Sequence, residues 1–252
     1  MTKVRIIKNF LDKKITQGIG TNNSFNRDNW IINQLSKIPE GLKLLDAGAG
    51  EAKYKNFCTH LIYTSQDIAI YDGVGNNQGI QKITRDYSKL DIISDIYKIP
   101  VESSSYDVIL CTEVLEHITD PINVFKEFNR ILKKDGMLII TAPFNSLVHY
   151  SPFHYFTGFS TYFYKYHLPK FGFEIEEIEA NGNYFEYISQ EIRRLNNIAS
   201  RYSFLKTGFF TKISIKILLN FMQKAVNNDT NSHELLCYGF HIKSVKKSNL
   251  GF

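Results

Sequence analysis

Cysteine is scarce in this chain. Cys58, Cys111 and Cys237 are the three in 252 residues, and no two of them sit at a metal-ligand spacing. That excludes a disulfide framework and a zinc–thiolate site, and makes a reducing, cytoplasmic setting the expectation. Long apolar runs are lacking too. The N-terminal MTKVRIIKNFLDKK breaks its apolar residues with charges, so no signal peptide is expected there. The longest apolar stretch elsewhere, 213–222, carries Lys216 and is too short to span a bilayer, so no integral membrane segment is expected. Blocks of one charge sign are also missing. The 30 basic and 25 acidic residues, net +5, are scattered apart from short groups such as Lys243, Lys246 and Lys247. Such a distribution describes a solvated surface and gives no nucleic-acid footprint. Internal repeats and low-complexity segments are absent.

What is present suits a single-core globular protein, with 43% hydrophobic and 22% charged residues. From residue 43 to 141, short apolar runs alternate with helical patterns, the signature of βαβ units and a parallel sheet. The runs are 43–47, 60–65, 89–94, 106–111 and 137–141, with further strands expected at 173–180 and 236–243. A crossover helix is expected from Asp120-Pro121 to Lys133, carried by the stripe Ile122, Val124, Phe125, Phe128, Ile131 and Leu132. Another helix is expected over 27–37. Residues 1–40 read as an N-terminal helical lid on a domain spanning 41–252, and 184–226 as a helical insertion capping the substrate side. Within it, 205–226 reads as a core-packing helix, despite Lys206, Lys212, Lys216 and Lys224 among its apolar residues.

The strongest local signal is Leu44-Leu45-Asp46-Ala47-Gly48-Ala49-Gly50-Glu51, an apolar strand running into a turn with two glycines. Such a turn lets backbone approach a ligand closely. Lys53 holds the place where a dinucleotide fingerprint has its third glycine. The second strand ends in Ser65-Gln66-Asp67-Ile68, a carboxylate about one βα unit after the glycines, placed to accept ribose hydroxyls; Asp72 is a rival at the same sheet end.

The acid-glycine run resembles the first motif of the class I S-adenosylmethionine-dependent methyltransferases. Asp95-Ile96, followed by Ile99-Pro100 and Tyr106-Asp107-Val108, is similar to that family's adenine-binding segment. Cys111-Thr112-Glu113-Val114-Leu115-Glu116-His117-Ile118, with Asp120-Pro121 and the Gly136 turn after it, resembles the type-11 group. The resemblance covers roughly residues 43–142. It implies a Rossmann-like α/β fold: a seven-stranded, mostly parallel sheet with an antiparallel last strand and helices on both faces. It also implies S-adenosyl-L-methionine as cofactor, held by Asp46, Gly48, Gly50, Asp67, Ile68, Asp95, Ile96, Thr112 and Glu113. His117 either faces the same pocket or caps its own sheet. Arg27 pairs with the cofactor carboxylate or lies on the surface, and Trp30 packs its helix onto the sheet.

Chemistry at a hydroxyl acceptor needs a group to take its proton, and histidine suits that task. Asn145 to Phe156 follows the fifth strand, on the ligand edge of an open α/β sheet, and contains His149 and His154, the candidate general bases. Loops rich in His, Pro and Phe at this place resemble those of bacterial methyltransferases associated with surface polysaccharides. That implies a small-molecule, carbohydrate-related acceptor: a sugar, a sugar-nucleotide or a capsule precursor. An amine, carboxylate, phosphate-type oxygen or quinone carbon remains open, as does a cofactor-binding protein without transferase activity. The Asn/Asp-Pro-Pro-aromatic pattern of amino-methylating nucleic-acid enzymes is absent after the fourth strand, so no nucleic acid is expected as partner. No metal is expected, because the sequence offers no acidic cluster beyond Asp67, Asp72 and Asp95 to hold one.

Overall fold

The structure is a computed structural model that describes residues 18–81 and 85–248. A first helix, α1 (Asn23–Ser36), leads into β1 (Lys43–Ala47), β2 (Ile62–Asp67), β3 (Ile92–Ile93) and β4 (Tyr106–Thr112). Then come α2 (Pro121–Ile131), β5 (Leu132–Pro143), α3 (Thr161–Lys170), β6 (Phe173–Asn181), α4 (Tyr184–Tyr202), α5 (Phe209–Asn227) and β7 (Gly239–Lys246). The seven strands form one sheet in the order β3-β2-β1-β4-β5-β7-β6. Strands β3, β2, β1, β4 and β5 run parallel, and β7 enters antiparallel beside β5. This is the expected fold class.

Parallel order places the ends of β1, β2, β4 and β5 on one edge, where the order reverses at β1 and β4. Both faces of the sheet are covered. Leu44, Val108, Leu110 and Ile139 pack in one core with Trp30, Ile31 and Leu35 of α1. The pleat sends Leu45, Ile109, Leu138 and Ile140 to the other face, and all four are fully buried. Trp30 packs α1 onto the sheet as expected: its ring lies 4.9 Å from His241, and its Nε1 donates to Glu177 at 3.2 Å.

The connections differ from a regular βαβ repeat. Only a 3₁₀ turn, Lys55–Phe57, separates β1 from β2, and the described residues between β2 and β4 hold no helix. α2 forms as expected, with Pro121 in its first turn and Asp120 accepting the Asn123 N–H. β5 is longer than expected and starts at Leu132, directly at the end of the helix. Asp135 takes φ +61°, and the β4–β5 register shifts between Tyr106 and Val108.

Two compact units emerge. One joins described residues up to Asn29 to Ala180–Tyr238, and the other holds Trp30–Glu179 with the described residues from Gly239 onward. In the first, α4 and α5 pack on each other. α5 buries none of its residues and exposes Phe209, Phe210, Ile217 and Phe221, so the core-packing expectation for 205–226 is corrected. Periodicity finds a helix there but cannot say whether a partner face exists. Lys246 is the opposite correction. It is 1% exposed, and its Nζ donates to the Asn129 and Leu132 carbonyls at 2.6 and 2.8 Å, closing the end of α2. Among the described residues, no helix is long and apolar enough to cross a membrane.

Candidate active site

The turn after β1 is shaped by its neighbour β2. Gly48 and Ala49 N–H both donate to the Gln66 carbonyl at 2.8 Å, and Gly50 N–H donates to Asp67 Oδ2 at 2.9 Å. Gly48 and Gly50 adopt φ +76° and +55°, where a side chain is strained. A Cβ on Gly48 would run into Val114, and one on Gly50 into the Arg85 guanidinium.

Asp46 is buried at the strand end. Its Oδ2 accepts the Tyr63 hydroxyl at 2.6 Å, while Oδ1 is closed off from solvent without a protein hydrogen-bond partner. Burial pushes its carboxyl up to about 7, with the Tyr63 hydrogen bond opposing and nearby Asp67 adding. Asp67 is half-buried, and its Oδ1 accepts the Ala69 N–H at 2.8 Å. Asp72 is spent in its own turn, accepting from Val74 and Gly75 N–H at 2.9 and 2.7 Å.

Other expected positions are spread along the same edge. Ile68 is exposed. Asp95 is exposed and turns the chain by accepting the Tyr97 N–H at 2.9 Å, whereas the Ile96 side chain is buried. Glu127 and Arg130 of α2 hold this segment. Glu127 Oε1 accepts the Ile99 N–H at 2.7 Å, and Arg130 donates to the Ile99 and Val101 carbonyls. Thr112 is half-buried at the last position of β4, and Glu113 follows at φ +53°. Glu113 N–H donates to the Thr141 carbonyl at 2.8 Å, and Thr141 Oγ1 donates back to Glu113 Oε1 at 3.1 Å.

The expected bases do come together, and they bring company. His117, His149 and His154 cluster with ring centroids 4.7, 4.8 and 6.0 Å apart, and Tyr150 packs against the first two. His117 lies against His149 and His154. Behind the rings stands Glu116, fully buried, with Oε1 3.6 Å from His117 Nε2 and 3.9 Å from His149 Nε2.

Backbone bonds hold the cluster from several sides. Tyr155 and Phe156 N–H both donate to the Glu116 carbonyl, and Ile80 bridges to His149. Val114 and Arg85 link the glycine turn to the histidines. Val114 abuts Gly48 two residues before Glu116, and Arg85, which lies against Gly50, stacks 4.8 Å over the Tyr150 ring.

The acid-glycine turn, Asp67 at the β2 end and the strand order are the arrangement of a nucleoside-binding α/β sheet. A family profile described as "Methyltransferase domain" matches residues 28–177, more than half of the chain. The chain belongs to the class I S-adenosylmethionine-dependent methyltransferases. Over 106 residues this methyltransferase is 32% identical to a Bacillus subtilis protein named for 23S rRNA guanine-N1 methylation, covering 41% of this chain and 35% of that one. Over 110 residues it is 27% identical to the ubiquinone biosynthesis O-methyltransferase of Actinobacillus pleuropneumoniae, covering 40% and 46%. The matches thus span less than half the length of these curated relatives. Its fold resembles Haemonchus contortus phosphoethanolamine N-methyltransferase 2 in complex with S-adenosyl-L-methionine, with TM-score 0.51, 17% identity, and coverage of 89% of this chain and 53% of that one.

The residues present fit that cofactor. Asp46 Oδ1 offers a buried acceptor that no protein donor fills. Four contributors to the site were not singled out as site residues from the sequence: Glu116, Arg85, Tyr63 and Gln66. No local pattern marks Arg85. Glu116 and His117 adjoin the expected Thr112-Glu113 segment, so that run carried more than its strand end.

Proposed function

We propose that this methyltransferase moves a methyl group from S-adenosylmethionine to a hydroxyl oxygen of a small polar acceptor, of the sugar, sugar-nucleotide or surface-polysaccharide precursor class. The observation that carries it is the gathering of His149 and His154 with His117 and Glu116 on the strand edge that holds the glycine turn. A thiol or amine acceptor needs less help in losing its proton than a hydroxyl does. The cofactor, when bound, supplies a methyl group already made electrophilic by its sulfonium. The task left to the protein is to hold the acceptor in line and take up its proton as the carbon–oxygen bond forms and the carbon–sulfur pair returns to sulfur.

In this reading Asp67 holds the ribose, the Asp95-Ile96 segment the adenine, and Asp46, Thr112 and Glu113 the amino-acid end. The histidine cluster activates the acceptor. A relative named as an O-methyltransferase supports oxygen as the acceptor atom. The sugar class rests on the resemblance of the 145–156 loop. Nucleic acid has no part in this reading, and methyl incorporation into ribosomal RNA by the purified protein would overturn that element. Three buried cysteines, none of them in a disulfide, suit the cytoplasmic setting included in it.

The test is release of S-adenosylhomocysteine in the presence of a panel of sugar-nucleotides and free sugars. His149→Ala and His154→Ala should each lower turnover by roughly 10²–10⁴ while cofactor affinity is kept. Normal turnover in both variants would remove the cluster from the reaction.

A further inference from the structure

We propose that His117, His149 and His154, backed by the Glu116 carboxylate, form a binding site for a divalent transition-metal cation. Each of the three imidazoles offers one ligand atom, and these atoms lie within 4.8 Å of one another. Ligands about 2.1 Å from a tetrahedral ion are roughly 3.4 Å apart, so the cluster reaches coordination by side-chain shifts of about an ångström.

Ring orientation points the same way. His117 Nδ1 lies 2.6 Å from the Phe153 carbonyl, and His149 Nδ1 lies 2.8 Å from the Leu147 carbonyl. A carbonyl oxygen cannot donate, so both Nδ1 atoms carry the proton and donate. In a neutral ring the lone pair is then on Nε2, the atom that in both residues lies nearest Glu116 Oε1. Metal-bound histidines are held in this way, with the far nitrogen donating to a carbonyl or carboxylate. The third ring, His154, has both nitrogens closed off from solvent and without a hydrogen-bond partner.

A fully buried carboxylate beside the imidazoles supplies the negative charge that a dication needs. Three imidazole nitrogens, backed by one carboxylate, favour Zn²⁺, Co²⁺ or a similar first-row ion over Mg²⁺ or Ca²⁺, which prefer all-oxygen sites. Three imidazoles leave a position for an oxygen ligand, and an ion there would lower the pKa of a hydroxyl bound to it. That role rests on the hydroxyl-acceptor reading; the site itself does not.

The test uses the purified full chain, stripped with a chelator and then titrated with Co²⁺, with visible ligand-field absorption as the readout, followed by competition with Zn²⁺. Expected are one equivalent of bound Co²⁺, bands that bleach when Zn²⁺ is added, and about hundredfold weaker binding in His117→Ala, His149→Ala and His154→Ala. His154→Ala is the most informative variant, because it removes no native hydrogen bond. Titration with S-adenosylhomocysteine on each variant verifies that it is folded. Folded protein that gives no absorption, or the same affinity in all three variants, would overturn the site. Glu116→Gln should weaken Co²⁺ binding by about tenfold. Wild-type protein that methylates a hydroxyl but binds no Co²⁺ would sink this inference alone. Metal binding with no hydroxyl acceptor found would sink the functional reading and leave the site standing.

Discussion

Asp67 Oδ2 accepts the Gly50 main-chain N–H at 2.9 Å, so the carboxylate at the end of β2 also builds the turn that follows β1. With Oδ1 on the Ala69 N–H, one side chain organises two loops.

The first prediction concerns this double duty. Asp67→Ala should weaken S-adenosylhomocysteine binding by more than loss of the proposed ribose contact alone, at least about a hundredfold, since bonds to a charged acceptor are each worth about 1.5–3 kcal/mol. Calorimetric titration measures it. Asp67→Asn keeps an acceptor for one of the two loop bonds and should fall between wild type and alanine. Equal losses in the two variants would remove the turn from the account.

A second prediction follows from Asp46. Its carboxyl is raised from 3.8 to about 7 by burial, so between those values the folded protein holds a proton that the unfolded chain has released. Stability from this group is therefore fully present below about pH 4 and is lost as pH rises through 7. The loss is at most roughly 4 kcal/mol, at 1.36 kcal/mol for each pKa unit. Asp46→Asn, which still accepts from Tyr63, should flatten the cofactor-free melting profile across that window. Melting temperatures for both proteins at a series of pH values decide it.

Glu127 supports the segment after Asp95, which the proposed reading assigns to adenine, without belonging to it. It accepts the Ile99 N–H and pairs with Arg130 at 2.7 Å. Glu127→Ala should destabilise the fold by about 3 kcal/mol by leaving Arg130 and a buried N–H without their acceptor. It should also weaken cofactor binding, although Glu127 lies outside the proposed contacts. Urea denaturation and cofactor titration on the same preparation separate the two effects.

Lys246 gives a prediction about stability alone. Lys246→Met keeps the aliphatic stem and strips the Asn129 and Leu132 carbonyls of their buried donor, costing about 2–4 kcal/mol. Turnover per folded molecule should stay near wild type. A matching loss of activity in folded protein would mean that the end of α2 communicates with the site.

The sequence by itself determined the strands, the glycine turn and α2, because each is written in neighbouring residues. An apolar run forms a strand, glycines permit positive φ, and Asp120-Pro121 starts a helix. It also carried the cofactor motifs, whose spacing follows from one strand after another ending on a common edge. Tertiary structure alone decided three things. It joined His117 to His149 and His154, through contacts such as the bond from His117 to Phe153, 36 residues away. It buried Lys246 at a helix end while leaving the apolar residues of α5 exposed, since burial depends on which surface another element covers. And it brought Arg85 from a loop onto Gly50 and Tyr150. Local pattern encodes conformation through nearest-neighbour sterics and periodicity, whereas a site made of side chains from distant segments exists only once the sheet has set where each strand ends.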